Sequence, residues 1–173
     1  MRVGAQGHAD SAAGGALDYP ARVLDGLDFV IGSVHSNLTM SREQATERLL
    51  AAAADPHLTI LGHVSGGLLL SREGYPYDEA ALLEALAGHG AVLEHNCNPW
   101  RLDPDWPVLK RAARRGVRIA LCPDAHCLAD LAFMRYGLLL ARKAWLRADQ
   151  VLNSLSMEEA DAFFKSRRTK ARS

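Results

Sequence analysis

Short runs of apolar and β-branched residues recur along the chain, and longer stretches of mixed polarity separate them. The apolar runs occupy residues 28–35, 58–64, 91–96 and 117–122. Each run is too short for an independent helix and continuous enough for a strand that is buried on both faces. The pattern therefore predicts several parallel strands.

Helical patterns lie between these runs. In residues 41–55, Ser41 precedes Gln44 at capping-box spacing, and an alanine-rich body follows. Residues 77–89 end beside glycines that suit a helix C-cap, and residues 105–115 begin with an aspartate and a proline. This alternation predicts βαβ units of an α/β fold, with a parallel sheet that is either open or closed into a barrel.

The two ends of the chain are less regular. A short strand is predicted at 2–7 and a last helix at 156–165, and a further short strand near Leu138 would bring the strands from five to six. One domain is predicted over residues 1–166, with a basic, disordered tail at 167–173. A closed parallel α/β barrel takes about 250 residues. The chain therefore corresponds to an open sheet or to part of a barrel.

Composition narrows the function classes. The chain of 173 residues carries 20 Lys+Arg and 20 Asp+Glu, a balance that disfavours a protein that coats DNA. No apolar run approaches the ~18 residues of a membrane span, and residues 1–10 lack the apolar core of a signal peptide. Without a secretory signal, its 3 cysteines are interpreted as free thiols in a reducing compartment. We expect a cytoplasmic protein without membrane contact.

Ligand-type side chains gather at or just after the ends of four predicted strands. They are His35, His63, Glu94, Asn96, Asp124 and His126. The carboxyl ends of parallel strands meet at one edge, where ligands bind in α/β folds. A single histidine at a strand end is more often a structural group, but several at one edge favour a divalent metal site. Such an ion polarises water and neutralises phosphate charge, which suits phosphoester hydrolysis.

Five motifs resemble the PHP family, named for polymerase and histidinol phosphatase. They lie at 32–38, 60–75, 93–103, 123–126 and 134–146. Residues 17–36 resemble most closely the PHP domain at the C-terminus of bacterial family-X DNA polymerases, and the resemblance runs from about residue 4 to 167. It implies a (βα)7 TIM-like barrel of mostly parallel strands that binds divalent ions (Mn²⁺, Zn²⁺, Fe²⁺ or Mg²⁺) and hydrolyses phosphoesters.

The resemblance also implies roles for individual residues. The metal ligands carried over are His35, His63, Asp124 and His126, with His8 at a position where the family has a glutamate ligand. Arg101 is the phosphate-facing group, which suits its planar, bidentate guanidinium. The catalytic set is thus Asp124, His126 and Arg101, and substrate binding falls to Arg101 and Asn96.

The sequence also departs from the family. The initial H-x-H motif and the first barrel units are absent, so the match implies a partial PHP barrel. Val64 and Gly67 stand where the family has a proline and an arginine. Two hypotheses follow. The chain is a metal-dependent phosphoesterase, a 3′–5′ exonuclease acting on a nucleic-acid 3′ end or an enzyme acting on a small phosphate ester. Alternatively it is a truncated, inactive PHP module with a metal-binding, scaffolding or interaction role.

Partners and remaining side chains follow from the same match. A polymerase core, or self-association of this chain, would complete the barrel. Trp100, beside Arg101, is predicted to pack internally, with stacking on a nucleobase as the alternative. Cys122 and Cys127 flank the predicted ligands, but their spacing matches no zinc motif, so buried thiols are expected.

Overall fold

The computed structural model of the chain describes residues 6–10 and 14–172, and for residues 6–10 and 172 it describes the backbone alone. Five strands form one parallel sheet whose order is the order of the chain. The strands are β1 Gln6–Asp10, β2 Phe29–Ser33, β3 Leu58–Leu61, β4 Val92–Asn96 and β5 Ile119–Cys122. The predicted parallel α/β class is confirmed. The described strands form an open sheet in the sequential order of a barrel wall.

Six helices connect and cover the strands. They are α1 Ala21–Leu24, α2 Arg42–Ala54, α3 Glu79–His89, α4 Trp106–Arg114, α5 Met134–Lys143 and α6 Met157–Arg172. Three short 3₁₀ segments accompany them at Leu128–Phe133, Ala148–Gln150 and Leu152–Ser154. The predicted capping box is present at α2, where Ser41 and Gln44 bond each other's backbone. Among the described residues, no helix is long and apolar enough to cross a membrane.

Alternate residues of the strands point to opposite faces of the sheet, as the period of two requires. On one face, Val30, Leu93 and Leu121 belong to the large core that α2, α3, α4 and α5 cover. On the other face, Val92 and Ala120 belong to a smaller cluster with residues of α6. Sequential parallel strands with right-handed crossovers place successive helices on one side, which explains the unequal clusters.

The last strand, β5, is covered along its outer edge by a side chain. Val151 forms a parallel bridge with Ile119, and Asn153 follows. The Asn153 amide accepts a hydrogen bond from the backbone N–H of Leu121 at 2.8 Å and donates one to its carbonyl at 3.0 Å. The prediction of a further strand near Leu138 is wrong, because that residue lies within α5.

Helix α6 packs against the end of the sheet at which the strands begin, which we call its amino-terminal edge. Residues 167–172, predicted as a disordered tail, are helical in the structure. The reason is that Arg167 is buried and donates to the carbonyls of His89 at 2.6 Å and Leu58 at 2.5 Å. Nearby, Phe164 stacks on Phe29 with ring centroids 4.7 Å apart. α6 therefore packs as part of the fold.

Candidate metal and phosphate site

Two imidazoles meet at the carboxyl-terminal edge of the sheet. His35 lies just beyond β2, and His63 lies just beyond the neighbouring strand β3. Their Nε2 atoms are 3.2 Å apart, and their rings meet edge to face with centroids 4.9 Å apart. The structure thus brings together two of the histidines predicted from the strand ends.

His63 is held in an uncharged form. It is buried, and its backbone lies in the left-handed region at φ 23°. Burial is the main cause that lowers the pKa of His63 to about 4, followed by the positive charge of Arg101 and by His35. At neutral pH the ring is therefore neutral, which is the form of histidine that binds a metal ion.

Glu94 fixes the backbone of His63. Glu94 Oε2 accepts a hydrogen bond from the backbone N–H of His63 at 2.5 Å. Burial raises the pKa of the Glu94 carboxyl to about 7, although the hydrogen bonds from His63 and Cys122 act in the opposite direction. A Cβ at Gly62 would lie 3.3 Å from Glu94 Oε2 and 2.4 Å from Ser33 Oγ, so only glycine leaves room there. The sequence offered Glu94 as a carboxylate at a strand end and gave no signal for this anchoring contact.

The predicted phosphate-binding arginine is paired with a predicted metal ligand. Arg101 Nε donates to Asp124 Oδ2 at 3.1 Å, and the two side chains are 18% and 25% exposed. Arg101 Nη1 also reaches the carbonyl of Gly67 at 3.4 Å. Asp124 lies just beyond β5, in the left-handed region at φ 52°. A carboxylate and a guanidinium thus share the edge on which the histidine pair lies.

His126 follows Asp124 on an exposed turn. Its Nδ1 lies 2.9 Å from the carbonyl of Asp124, and its backbone N–H donates to Asp130 at 2.8 Å. A carbonyl oxygen only accepts, so Nδ1 carries the proton in this contact and the neutral ring keeps its lone pair on Nε2. That is the tautomer of a histidine whose outer nitrogen binds a metal ion.

Two other predicted site residues are placed differently. His8 pairs with Ile31 in the β1–β2 ladder, and its side chain lies outside the described residues. Asn96 is fully buried, and its Oδ1 accepts the backbone N–H of Asn98 at 3.0 Å, so it shapes the loop after β4. Its role in substrate binding stays a prediction. Within the described part of the chain, no three His, Cys, Asp or Glu side chains form a group that could hold a metal ion.

A buried carboxylate that sequence reasoning missed joins two loops of the site. Asp103 Oδ2 accepts the backbone N–H of Ser65 at 2.9 Å. Burial raises the pKa of Asp103 to about 6. These two loops line a cleft of about 640 Å³, into which Arg101 and Arg72 also project. The cleft, which mixes charged and apolar side chains, lies next to the loop that follows His63.

The distance between Nε2 of His35 and Nε2 of His63 fits two ligands of one divalent transition-metal ion. Two nitrogens that each lie about 2.0–2.1 Å from one tetrahedral ion are about 3.3 Å apart, close to the separation of the two Nε2 atoms. Nδ1 of His63 is buried without a hydrogen-bond partner among the described residues, whereas the second nitrogen of a metal-binding histidine usually has one. Here the orientation of His63 is set through its backbone, by Glu94.

The chain is similar in sequence to a bacterial polymerase and to proteins named as probable phosphatases. It is 36% identical over 151 residues to the DNA polymerase/3′-5′ exonuclease PolX of Bacillus subtilis, which covers 87% of this chain and 26% of the polymerase. It is 27% identical over 163 residues to a probable phosphatase of Caldanaerobacter subterraneus, which covers 89% of this chain and 61% of that protein. A probable phosphatase of a Thermoanaerobacter species is 28% identical over 149 residues, covering 81% and 58%.

These matches support a PHP-like relationship, and the relatives are named for phosphatase and exonuclease activities. No protein-family model matches the chain. The chain spans 26% of the polymerase and 58–61% of the two phosphatases.

Proposed function

We propose that this chain is a metal-dependent phosphoesterase of the PHP type that acts on the 3′ end of a nucleic-acid strand. The observation that carries the proposal is the pair of Nε2 atoms of His35 and His63, 3.2 Å apart, at the edge that also bears the Arg101–Asp124 pair. The 36% identity to a polymerase named for 3′-5′ exonuclease activity supports the nucleic-acid substrate.

The residues that would hold the ion are the pair His35 and His63, with Asp124, His126 and His8 as the further candidates. Neutral imidazoles and a carboxylate suit manganese, zinc or iron better than magnesium, which prefers oxygen ligands. A divalent ion bound there supplies a Lewis acid that polarises phosphoryl oxygen and water. Glu94 keeps His63 in place through its backbone, so the ring needs no rearrangement when substrate arrives.

Arg101 binds the phosphate in this proposal. The guanidinium has five N–H donors, and the contacts to Asp124 and Gly67 engage two of its nitrogens. The remaining donors suit a phosphate oxygen, and charge-assisted bonds of this kind are the strong ones. Because Asp124 is both the partner of Arg101 and a candidate ligand, an Asp124 that bound an ion would leave Arg101 free to contact the substrate.

The experiment measures bound metal and cleavage together. The purified chain is analysed for metal content and incubated with Mn²⁺ and a 5′-labelled DNA strand, whose shortened products show the end that is attacked. His63→Ala and Asp124→Asn should lower cleavage at least 100-fold, because each removes a ligand or its charge. His89→Ala, at an exposed histidine that ends α3 on the opposite edge, is the matched control and should cleave like the parent.

A second candidate function is an inactive module that binds metal or a partner. The absence of a three-ligand group among the described side chains favours it. Stoichiometric metal without cleavage in the same experiment would select this alternative. A chain that shows no bound metal and no cleavage would contradict both the phosphoesterase function and a metal-binding role.

A further inference from the structure

Trp100 presents an exposed indole beside the phosphate site. It lies in the loop between β4 and α4, one residue before Arg101, and is 64% exposed. Among the described residues its ring has no aromatic or cationic stacking partner, whereas Trp106 packs against the core and takes the Lys143 ammonium at 5.0 Å from its ring. The prediction that Trp100 packs internally is wrong, because most of the indole is exposed. An exposed indole offers a flat apolar face on which an aromatic ligand can stack.

The backbone under this indole is fixed from both sides. The N–H of Trp100 donates to Asn98 Oδ1 at 3.0 Å, and its carbonyl accepts the N–H of Leu69 at 2.7 Å. Asn98 is held in turn by the buried Asn96, whose Oδ1 accepts its N–H. The indole thus extends from an ordered backbone, so a ligand that stacks on it meets a small entropic cost.

Two further apolar side chains join Trp100 from the neighbouring loop. Leu69 and Leu70 are 48% and 102% exposed, and Leu70 lies at the tip of the turn closed by Leu68 and Arg72. The hydrogen bond between Leu69 and Trp100 ties this turn to the loop after β4. We call Trp100, Leu69 and Leu70 the apolar rim. Leu69 and Leu70 line the cleft into which Arg101 projects, and Trp100 directly precedes Arg101 in the chain.

The chemistry of the rim selects its ligand. Adjacent residues of one loop offer a flat π-surface (Trp100) and a guanidinium that reaches the predicted metal ligand Asp124. A ligand that uses both side chains carries a phosphate and an aromatic ring, as a nucleotide does. A small phosphate ester without a ring would leave the rim in water. Stacking also needs no hydrogen bonds to base edges, so it tolerates any base.

We propose that the apolar rim is a stacking platform for the base of an unpaired terminal nucleotide, so that the site takes single-stranded nucleic-acid ends without preference for sequence. This proposal rests on the proposed phosphoesterase function and names what that site selects. Base–aromatic stacking of this kind is worth about 5- to 150-fold in affinity per base.

The test compares two 5′-labelled single strands of the same length. One ends in a 3′ thymidine, and the other ends in an abasic tetrahydrofuran residue that keeps the phosphate and lacks the base. The parent should cleave the thymidine strand with a kcat/KM about 5- to 150-fold higher. Trp100→Ala should abolish this ratio, and Trp100→Phe should retain most of it. Trp145→Ala removes a comparably exposed indole (79%) outside the rim and should leave the ratio unchanged. A ratio that survives Trp100→Ala would overturn the proposal.

A binding measurement separates failure of the platform from failure of the proposed function. If the parent cleaves neither strand, the phosphoesterase function fails and the platform is judged by tryptophan fluorescence. Oligothymidylate should quench emission of Trp145→Phe, which retains Trp100, and quench Trp100→Phe far less. Equal quenching of both variants, or none, would overturn the platform. Quenching by thymidine monophosphate as strong as that by the strand would identify free nucleotides as the ligand source.

Discussion

The two edges of the sheet differ in how their backbones reach left-handed conformations. At the carboxyl-terminal edge, residues with side chains adopt positive φ in the loops after four successive strands: Asn37, His63, Leu70, Leu102 and Asp124. At the amino-terminal edge, Gly90 and Gly116 take that conformation where α3 and α4 end, and Trp145 takes it just after α5. Left-handed backbone costs a residue with a side chain on the order of 1–3 kcal/mol and costs glycine almost nothing. The carboxyl-terminal edge therefore carries most of this strain.

The charged groups of the two edges also differ, in what they bond to and in how far burial shifts their pKa values. At the amino-terminal edge, Arg167 bonds two backbone carbonyls and Arg168 bonds Asp28. At the carboxyl-terminal edge, burial shifts the pKa of His63 down and that of Glu94 up, away from their ordinary values. One edge stabilises the fold, and the other holds ionisable groups in the states that ligand binding uses.

The largest effect is expected from Glu94→Ala, on the strained edge. The change leaves the backbone N–H of the buried His63 without its acceptor, so the residue shifts and the histidine pair opens. Groups that orient metal-binding histidines are worth about 10- to 100-fold in metal affinity. Titration with Mn²⁺ by calorimetry should show this loss. Glu94→Gln keeps an acceptor oxygen and should lose much less, and equal losses would contradict an anchoring role.

Arg167→Met tests the other edge. It removes two hydrogen bonds from a charged donor to the carbonyls of His89 and Leu58. The free energy of unfolding should fall by at least about 2 kcal/mol, since each bond to a charged group is worth about 1.5–3 kcal/mol, while Mn²⁺ affinity stays that of the parent. Arg168→Met, on the same helix turn and half-exposed, should change stability by less than about 1 kcal/mol. A metal-binding defect in Arg167→Met would show that the edges are not separable.

A third test measures how the free energy of unfolding depends on pH, which the buried His95 of β4 influences. Burial lowers the pKa of His95 to about 4, while its Nδ1 lies 2.9 Å from the carbonyl of Pro104. Between pH 6.5 and 4 the unfolded chain takes up a proton that the folded chain refuses, so stability falls as the pH falls through this window. His95→Asn, which retains a donor for Pro104, should lessen that fall by about 1–2 kcal/mol between pH 6.5 and 5. Denaturant melts across pH test it, with the exposed His89→Asn as control.

The smallest effect is expected from Arg101→Gln. Arg101 pairs with Asp124 and places a positive charge beside the histidine pair. Its removal leaves the Asp124 carboxylate available to a cation and removes a positive charge that repels one. Mn²⁺ affinity should therefore rise about fivefold, which corresponds to a part-buried ion pair worth about 1 kcal/mol. Arg72→Gln, in the same cleft but bonded to the carbonyl of Gly66, should leave affinity unchanged. A fall in affinity would contradict competition between guanidinium and cation.

Local signals account for most of what the sequence predicts correctly. The capping box of Ser41 and Gln44 and the glycine after α3 are contained within one turn of chain, so they are legible without the fold. The meeting of His35 and His63 follows from one rule, that parallel strand ends converge. These features depend either on contacts between residues close in sequence or on the order of the strands alone.

Distant contacts account for what the sequence did not show. The partners of Arg167 lie 78 and 109 residues away in the chain, so the helical end of α6 resembled a disordered basic tail. The bond from His63 to Glu94 depends on the register of two strands and on the space that Gly62 leaves. The apolar run around Leu138 is compatible with a strand or a helix, and its periodicity alone does not distinguish them. In the structure it forms α5, which packs against the core through Gly137 and Ala141.

The amide of Asn153 has a consequence for association with other chains. By bonding both the N–H and the carbonyl of Leu121, it occupies the place of a neighbouring strand on the outer side of β5. A strand from another chain that paired with β5 at Leu121 would first have to displace this amide. Asn153 therefore protects this side of the sheet from strand addition.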